Sequence, residues 1–226
     1  MRLCFAGLEN TIELRTDSVA TLEVHNRVLF RNVCESLASG EGADAVEAYT
    51  LWEDSTELRP TGQFLFASDP LNLPWQDKDL SNAAANRIEG LLLEDENVRI
   101  ALEEMSVSVE LLIQQLALQL SSDYGFALNW DLKRYLKSFG FGVDMMPSDS
   151  LFDKVIKFLR LAEDTGLKRT LVFVNLKLFL TEKELIQVYD QAFFSGLSMM
   201  LLENIADGRV FERERKYVID QEFLEY

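Results

Sequence analysis

The stretch LKRTLVFVNLKLFLTEKEL, residues 167–185, decides the fold. After the basic pair Lys168 and Arg169 comes an unbroken apolar run, Thr170 to Val174, rich in β-branched and aromatic side chains. A run of that length without alternation reads as a strand buried on both faces, as in a parallel sheet. A second apolar piece, Leu176 to Leu180, follows. Thr181 then opens a helix, and Glu184 three residues on completes a capping box. Leu185, Ile186, Tyr189, Ala192 and Phe193 give that helix one buried face, Gly196 ends it, and Leu197 to Leu202 is a second buried strand. This β–α–β unit places the C-terminal third in an α/β sheet.

Many nucleotide enzymes carry an acid at the end of such a strand to hold Mg²⁺. Here the strand ends in Asn175, whose neutral amide lacks the anionic oxygen that Mg²⁺ prefers. The chain also has no G-x-x-x-x-G-K-[ST] and no G-x-G-x-x-G. The unit therefore reads as an NTPase-like frame, RecA or P-loop-like in outline, without a phosphate loop.

Outward from this unit, Ser150 and Asp153 make a second capping box at the start of a helix from Leu151 to Ala162. Its core face is Phe152, Val155, Ile156, Leu159 and Ala162, with Lys154, Lys157 and Arg160 on the other side. At the N-terminus, Arg2–Ala6 and Thr11–Arg15 read as strands around a turn, and Val19–Val24 alternates as a half-buried strand. Val28–Leu37 has helical spacing and stops near Gly40. Tyr49–Trp52 and Gln63–Ala67 are strands separated by a turn from Asp54 to Pro60. Beyond Pro70 and Pro74 the chain from Leu80 to Leu120 has no proline and is rich in strong helix formers. Asp79 or Ser81 caps its start, and Glu94-Asp95-Glu96 marks a joint between two helices. Ile100, Met105, Val109, Leu112, Ile113, Leu116 and Leu120 form an apolar stripe along the second. Ser121–Asn129 is a loop, and Asn129-Trp130-Asp131 caps a short helix running to Ser138. Arg213–Lys216 reads as a charged surface segment, and Tyr217–Ile219 as a last strand. The fold class is thus α/β: a discontinuous head over residues 1–78 and 147–226, interrupted by a helical leg over residues 79–146.

Composition narrows the function. The 226 residues include 38 acidic against 22 basic side chains, a net charge of −16. Taken alone, that argues against nucleic acid. The charge is uneven, however, because residues 133–169 carry +3 and the rest −19. The cations in that stretch are Lys133, Arg134, Lys137, Lys154, Lys157, Arg160, Lys168 and Arg169. Read without further context they are the solvated faces of ordinary helices. The single histidine, His25, argues against zinc sites and Ser–His or Cys–His machinery and reads as a half-buried structural residue. Cys4 and Cys34 sit in apolar contexts and read as reduced, buried thiols of a cytoplasmic protein. No signal peptide and no membrane span is expected.

Several stretches together resemble a known family. They are Phe152-Asp153-Lys154, Lys168 through Asn175, Phe179 through Glu184, Lys137-Ser138-Phe139-Gly140, Leu14-Arg15 with the strand and helix that follow, and Tyr217 to Glu225. The pattern is similar to the CRISPR-associated spacer-acquisition proteins of type II-A systems, the ring-forming, DNA-end-binding subunit of the Csn family. That resemblance implies an NTPase-like head without NTPase activity, an inserted helical leg, and a homotetrameric ring around double-stranded DNA. It implies action in CRISPR adaptation with the integrase complex and the RNA-guided effector nuclease. The family pattern is also basic at Lys137, Lys154, Lys168 and Arg169, which the resemblance implies as phosphate contacts that bind without reading bases, and Lys133, Arg134, Lys157 and Arg160 neighbour them on the same helical faces.

One departure bears on cofactors. The family carries a dense acidic, calcium-binding cluster just before the Lys-Ser-x-Gly stretch. Here only Asp123 and Asp131 remain as candidate metal ligands, and Ca²⁺ requires six to eight oxygens. A cap at Asp131 and a turn at Asp123 explain both equally well, and Phe126 and Trp130 then hold the arm in place of calcium. No nucleotide is expected. Two other readings stay open, a metal-dependent nuclease built on scattered carboxylates and an acidic protein–protein adaptor without DNA contact.

Overall fold

In the computed structural model, which describes residues 1–225, the chain divides into two compact units. Met1–Asp77 and Asp144–Tyr226 form the first, and Lys78–Val143 the second. The first begins with β1 (Arg2–Phe5), β2 (Ile12–Glu13), β3 (Val19–Val24), α1 (Arg27–Ser39), β4 (Tyr49–Glu53), β5 (Thr56–Leu58) and β6 (Phe64–Ala67). The second holds α2 (Lys78–Glu94), α3 (Glu96–Ala117) and α4 (Leu132–Ser138). The chain returns to the first unit for α5 (Leu151–Asp164), β7 (Thr170–Val174), α6 (Glu182–Phe194), β8 (Met199–Glu203) and β9 (Glu214–Ile219).

The first unit contains two sheets. A small antiparallel one runs β2-β1-β4-β5, and an all-parallel one runs β6-β7-β8-β3-β9. A parallel sheet must be covered on both faces, because its crossovers put other elements there. On one face Ala20, Leu22, Val24, Val172, Met200 and Leu202 share a core with Leu29, Val33 and Leu37 of α1. Leu3, Tyr49 and Leu51 of the small sheet complete it. On the other face Phe158 of α5 meets Phe173 of β7 edge-on at 6.4 Å and Trp75 at 5.2 Å. Val188, Tyr189 and Ala192 of α6 are buried on the same side. Fully burying one such side chain contributes about 2 kcal/mol.

Local signals in the chain set the helix ends. Ser150 and Asp153 form a complete capping box on α5, and Thr181 and Glu184 one on α6. Gly40 and Gly196 lie just past α1 and α6 with φ of 68° and 61°, the left-handed region that glycine enters without steric cost.

The sequence reading needs several corrections. First, β3 is buried at every position, not half-buried. Its polar Thr21 and Glu23 look outward-facing in sequence, yet both are sealed inside by polar partners. Second, the segment Asp54–Pro60 is not all turn. A tight turn at Asp54-Ser55 leads into β5, which pairs Thr56 with Glu53. Asp54 takes φ of 51°, a conformation aspartate tolerates, so no glycine announced the hairpin. Third, Glu214–Lys216 lies within β9 beside β3, with Glu214 buried, so it is not surface. Fourth, Ile186 of α6 is 47% exposed, and Val188 occupies the core instead. Cys4 and Cys34 are free and half-buried, not buried, and burial pushes the Cys34 thiol up to about 12.

In the second unit α2 starts at Lys78, so Asp79 and Ser81 fall within the helix and not at the position before it. The acidic joint is real: Asp95 caps α3, accepting the Val98 N–H at 3.1 Å. α3 has no buried residue. Met105, Val109, Leu112 and Leu116 are 55–66% exposed, so its apolar stripe faces outward in the single chain. Among the described residues no helix is long and apolar enough to cross a membrane.

Candidate nucleic-acid interface

The eight candidate cations fall into two groups. Lys133, Arg134 and Lys137 lie exposed on α4 in the second unit. Asp131 fixes that helix by accepting the Arg134 N–H at 2.8 Å. Lys133 and Lys137 are one turn apart and share a face. Tyr135 and Phe139 stand between and beyond them, 48% and 75% exposed, with ring centroids 4.6 Å apart. Trp130 packs against Tyr135 at 6.3 Å. Two positions off the lysines, Tyr135 and Phe139 lie on a different face of α4.

The second group lies in the first unit. Lys154, Lys157 and Arg160 ride on α5, and Lys168 and Arg169 follow its end at Gly166. The capping box orients α5, and its buried face of Val155, Phe158, Leu159 and Ala162 turns the three cations outward. Not all are equally available. Lys157 Nζ lies 2.6 Å from Asp149 Oδ2 and donates to the Asp144 carbonyl at 2.9 Å. That hydrogen bond and one from the Met146 N–H hold the Asp149 carboxyl below its usual range. Arg169 is half-buried and pairs with Asp77 at 2.6 Å, while Lys133 pairs with Glu89 at 2.7 Å. Among the described residues Arg134, Lys137, Lys154, Arg160 and Lys168 have no carboxylate within ion-pair distance.

The candidate calcium ligands sit in a helix cap and a loop. Asp131 spends one oxygen on the α4 cap, and Asp123 is an exposed loop residue. Among the described residues no three His, Cys, Asp or Glu side chains are placed to hold a metal ion. Two carboxylates, one already engaged, do not fit the oxygen-rich shell that Ca²⁺ requires. Phe126 is 47% exposed.

At the carboxyl ends of the parallel strands, where α/β sheets hold their ligands, the chain has placed internal links. Asn175 takes φ of 53° and accepts the Asn204 N–H at 3.1 Å through its side-chain oxygen. The amide that stands in place of an acid thus ties the end of β7 to the end of β8. Nearby, Glu23, Glu203 and Glu214 are buried with Lys177 and Lys216.

The profile of the CRISPR-associated Csn2 proteins (Cas_Csn2) matches residues 44–223. The chain belongs to this family. The Csn2 protein of Enterococcus faecalis is 23% identical over 231 residues, spanning 99% of this chain and 97% of that protein. The crystal structure of Stu0660 of Streptococcus thermophilus superposes with a TM-score of 0.59 over 96% of this chain and 74% of that one. At 16% identity this second likeness shows a shared fold. Within the Csn2 family frame, Asn175 carries a prediction of its own. Asn175→Val, forced into positive φ and stripped of its acceptor, should lower unfolding free energy by about 2 kcal/mol. Asn175→Gly, which keeps the backbone conformation, should cost about half as much. Urea denaturation of both variants checks the order.

Proposed function

We propose that this Csn2-family chain is a non-catalytic double-stranded DNA-binding protein of the cytoplasm. It acts in type II-A CRISPR spacer acquisition as a homotetrameric ring around duplex, alongside the integrase complex and the RNA-guided effector nuclease. In this reading the first unit is an NTPase-like head and the second an inserted leg. The observation that carries it is the set of uncommitted cations, Arg134, Lys137, Lys154, Arg160 and Lys168, on a chain of net charge −16. A strongly acidic protein repels DNA from most directions. Concentrating free cations on a few helical faces restricts attraction to those faces, and phosphate contact there needs no base readout.

Self-association has its own support. Leu102, Met105, Val109, Leu112 and Leu116 repeat at alternating spacings of three and four along α3, a coiled-coil seam. An apolar seam this exposed is stabilised by burial against another copy. This scheme assigns no role to calcium.

Reversing Lys137, Lys154 and Lys168 to Glu should weaken duplex binding at least tenfold. It should also reduce the slope of log affinity against log salt by about 2 to 3, near 0.9 per lost phosphate contact. Fluorescence anisotropy across a salt series reads both, and the unmodified protein should give one curve in EDTA and in Ca²⁺. Replacing Lys157, already neutralised by Asp149, should change the slope by less than one; an unaltered slope in the triple variant discards the assignment. Light scattering of Leu112→Glu should show the tetramer mass lost, whereas an unmodified chain that is already monomeric removes the ring.

A further inference from the structure

β8 and β9 run parallel on either side of β3, so residues 204–213 must carry the chain back across the sheet. Parallel crossovers ordinarily use a helix whose apolar face covers the strands. This one has neither helix nor strand. The surface it covers is correspondingly polar. Thr21 and Glu23 of β3, Glu203 of β8 and Glu214 of β9 are all buried, and the side chains of Lys177 and Lys216 are each 8% exposed.

The crossing segment is held to this layer almost entirely by polar bonds. The Asp207 N–H donates to Glu23 at 3.2 Å, the Phe211 N–H to Glu214 at 3.1 Å, and the Lys216 ammonium to the Asp207 carbonyl. Lys177 Nζ lies 3.8 Å from the Asp207 carboxylate. Phe211 adds an apolar hold, edge-on to Tyr189 at 5.8 Å. On the outer side Arg209 bridges Asp207 and Glu182, and Arg213 pairs with Asp190.

The charges in the layer do not cancel. Three buried carboxylates, Glu23, Glu203 and Glu214, face two buried ammonium groups, Lys177 and Lys216. Asp207 is balanced outward by Arg209, and the other titratable neighbours include His25, 2.7 Å from Glu23, and Tyr189, whose hydroxyl reaches Glu214. The donors are unevenly shared. Glu214 is served by the Lys177 ammonium, the Thr21 hydroxyl, the Tyr189 hydroxyl and the Phe211 N–H. Glu23 has Lys216, His25 and the Asp207 N–H. Among the described residues Glu203 has one donor, the Lys177 N–H at 3.0 Å.

We propose that residues 204–213 are a proton-operated strap, seated when Glu203 is protonated and loosened when that proton leaves an uncompensated charge beneath it. Burial pushes the Glu203 carboxyl up to about 7, with the charges of Glu214 and Glu23 adding to the effect and Lys177 opposing it. Burial also penalises ionised Glu23 and Asp207, but hydrogen bonds from His25, Lys216 and Arg209 hold both below the usual carboxylate range. Burial raises the Tyr189 phenol, which stays a neutral donor. The sign follows from linkage. A carboxyl raised from 4.5 to about 7 in the folded state stabilises fully below 4.5 and loses that contribution as pH rises toward 7. Glu23 and Asp207 act oppositely and in more acidic solution, so the window between pH 5 and 7 belongs to Glu203.

Hydrogen exchange of the full-length protein tests this. After correction for intrinsic exchange, the opening equilibrium of amides 204–213 should rise by up to about tenfold per pH unit from 5 to 7, then level off. Glu203→Gln should abolish that slope. A pH-independent opening in the unmodified protein, or a slope retained in the variant, overturns the proposal. If the variant does not fold, ¹³C NMR of the glutamate carboxyls in the unmodified protein decides. One carboxyl titrating near 7 supports the strap, and all titrating below 5.5 refutes it.

Discussion

The architecture depends on one pairing constraint. β3, from the first 24 residues, lies between β8 and β9, which come from the last 28. Both pairings are parallel, so neither closes locally. The parallel sheet cannot complete its order until the chain from α1 to α6 has already been placed. The helical unit Lys78–Val143 therefore falls inside a sequence whose two ends are stitched together, and its length is free to vary without disturbing that seam. Loop-closure entropy grows only slowly with loop length, which makes such an excursion thermodynamically tolerable.

The same seam dictates where charge is buried. The return from β8 to β9 lacks a covering helix, so the face of β3 cannot be an apolar surface awaiting an apolar lid. It carries Thr21 and Glu23, answered by Glu214 and Lys216 from β9 and by Lys177 from the turn after β7. Unpaired charges there would be costly, which explains why nearly every polar atom of the layer has a partner. A consequence is functional. The strand ends that serve ligands in related architectures are here committed to holding the protein's own backbone, through Asn175 and the charged layer. Cations available to an external polyanion lie elsewhere, on α4, on α5 and just after α5.

Local chemistry made much of the fold legible. The boxes Ser150–Asp153 and Thr181–Glu184, the Asp131 cap and the joint at Asp95 each involve residues three apart, so sequence spacing suffices to see them. What stayed hidden were features whose cause lies far along the chain. The burial of Thr21 and Glu23 depends on Glu214 and Lys216, more than 190 positions away, and an alternating pattern is indistinguishable from a solvent-facing strand without them. The β4–β5 hairpin escaped because Asp54 performs a turn that glycine usually advertises. Residue type alone identified the candidate cations, whereas their engagement by Glu89, Asp149 and Asp77 required the fold.

A clamp that closes around duplex binds topologically as well as electrostatically, and the two differ in their dependence on DNA ends. The most direct measurement is competition between a linear duplex and a covalently closed circle of the same length and sequence, at fixed salt. A ring of this chain should capture the linear form and leave the relaxed circle largely unbound, with cutting of the circle restoring binding. Equal affinity for linear and closed DNA would contradict encirclement and leave only an open, surface-bound contact.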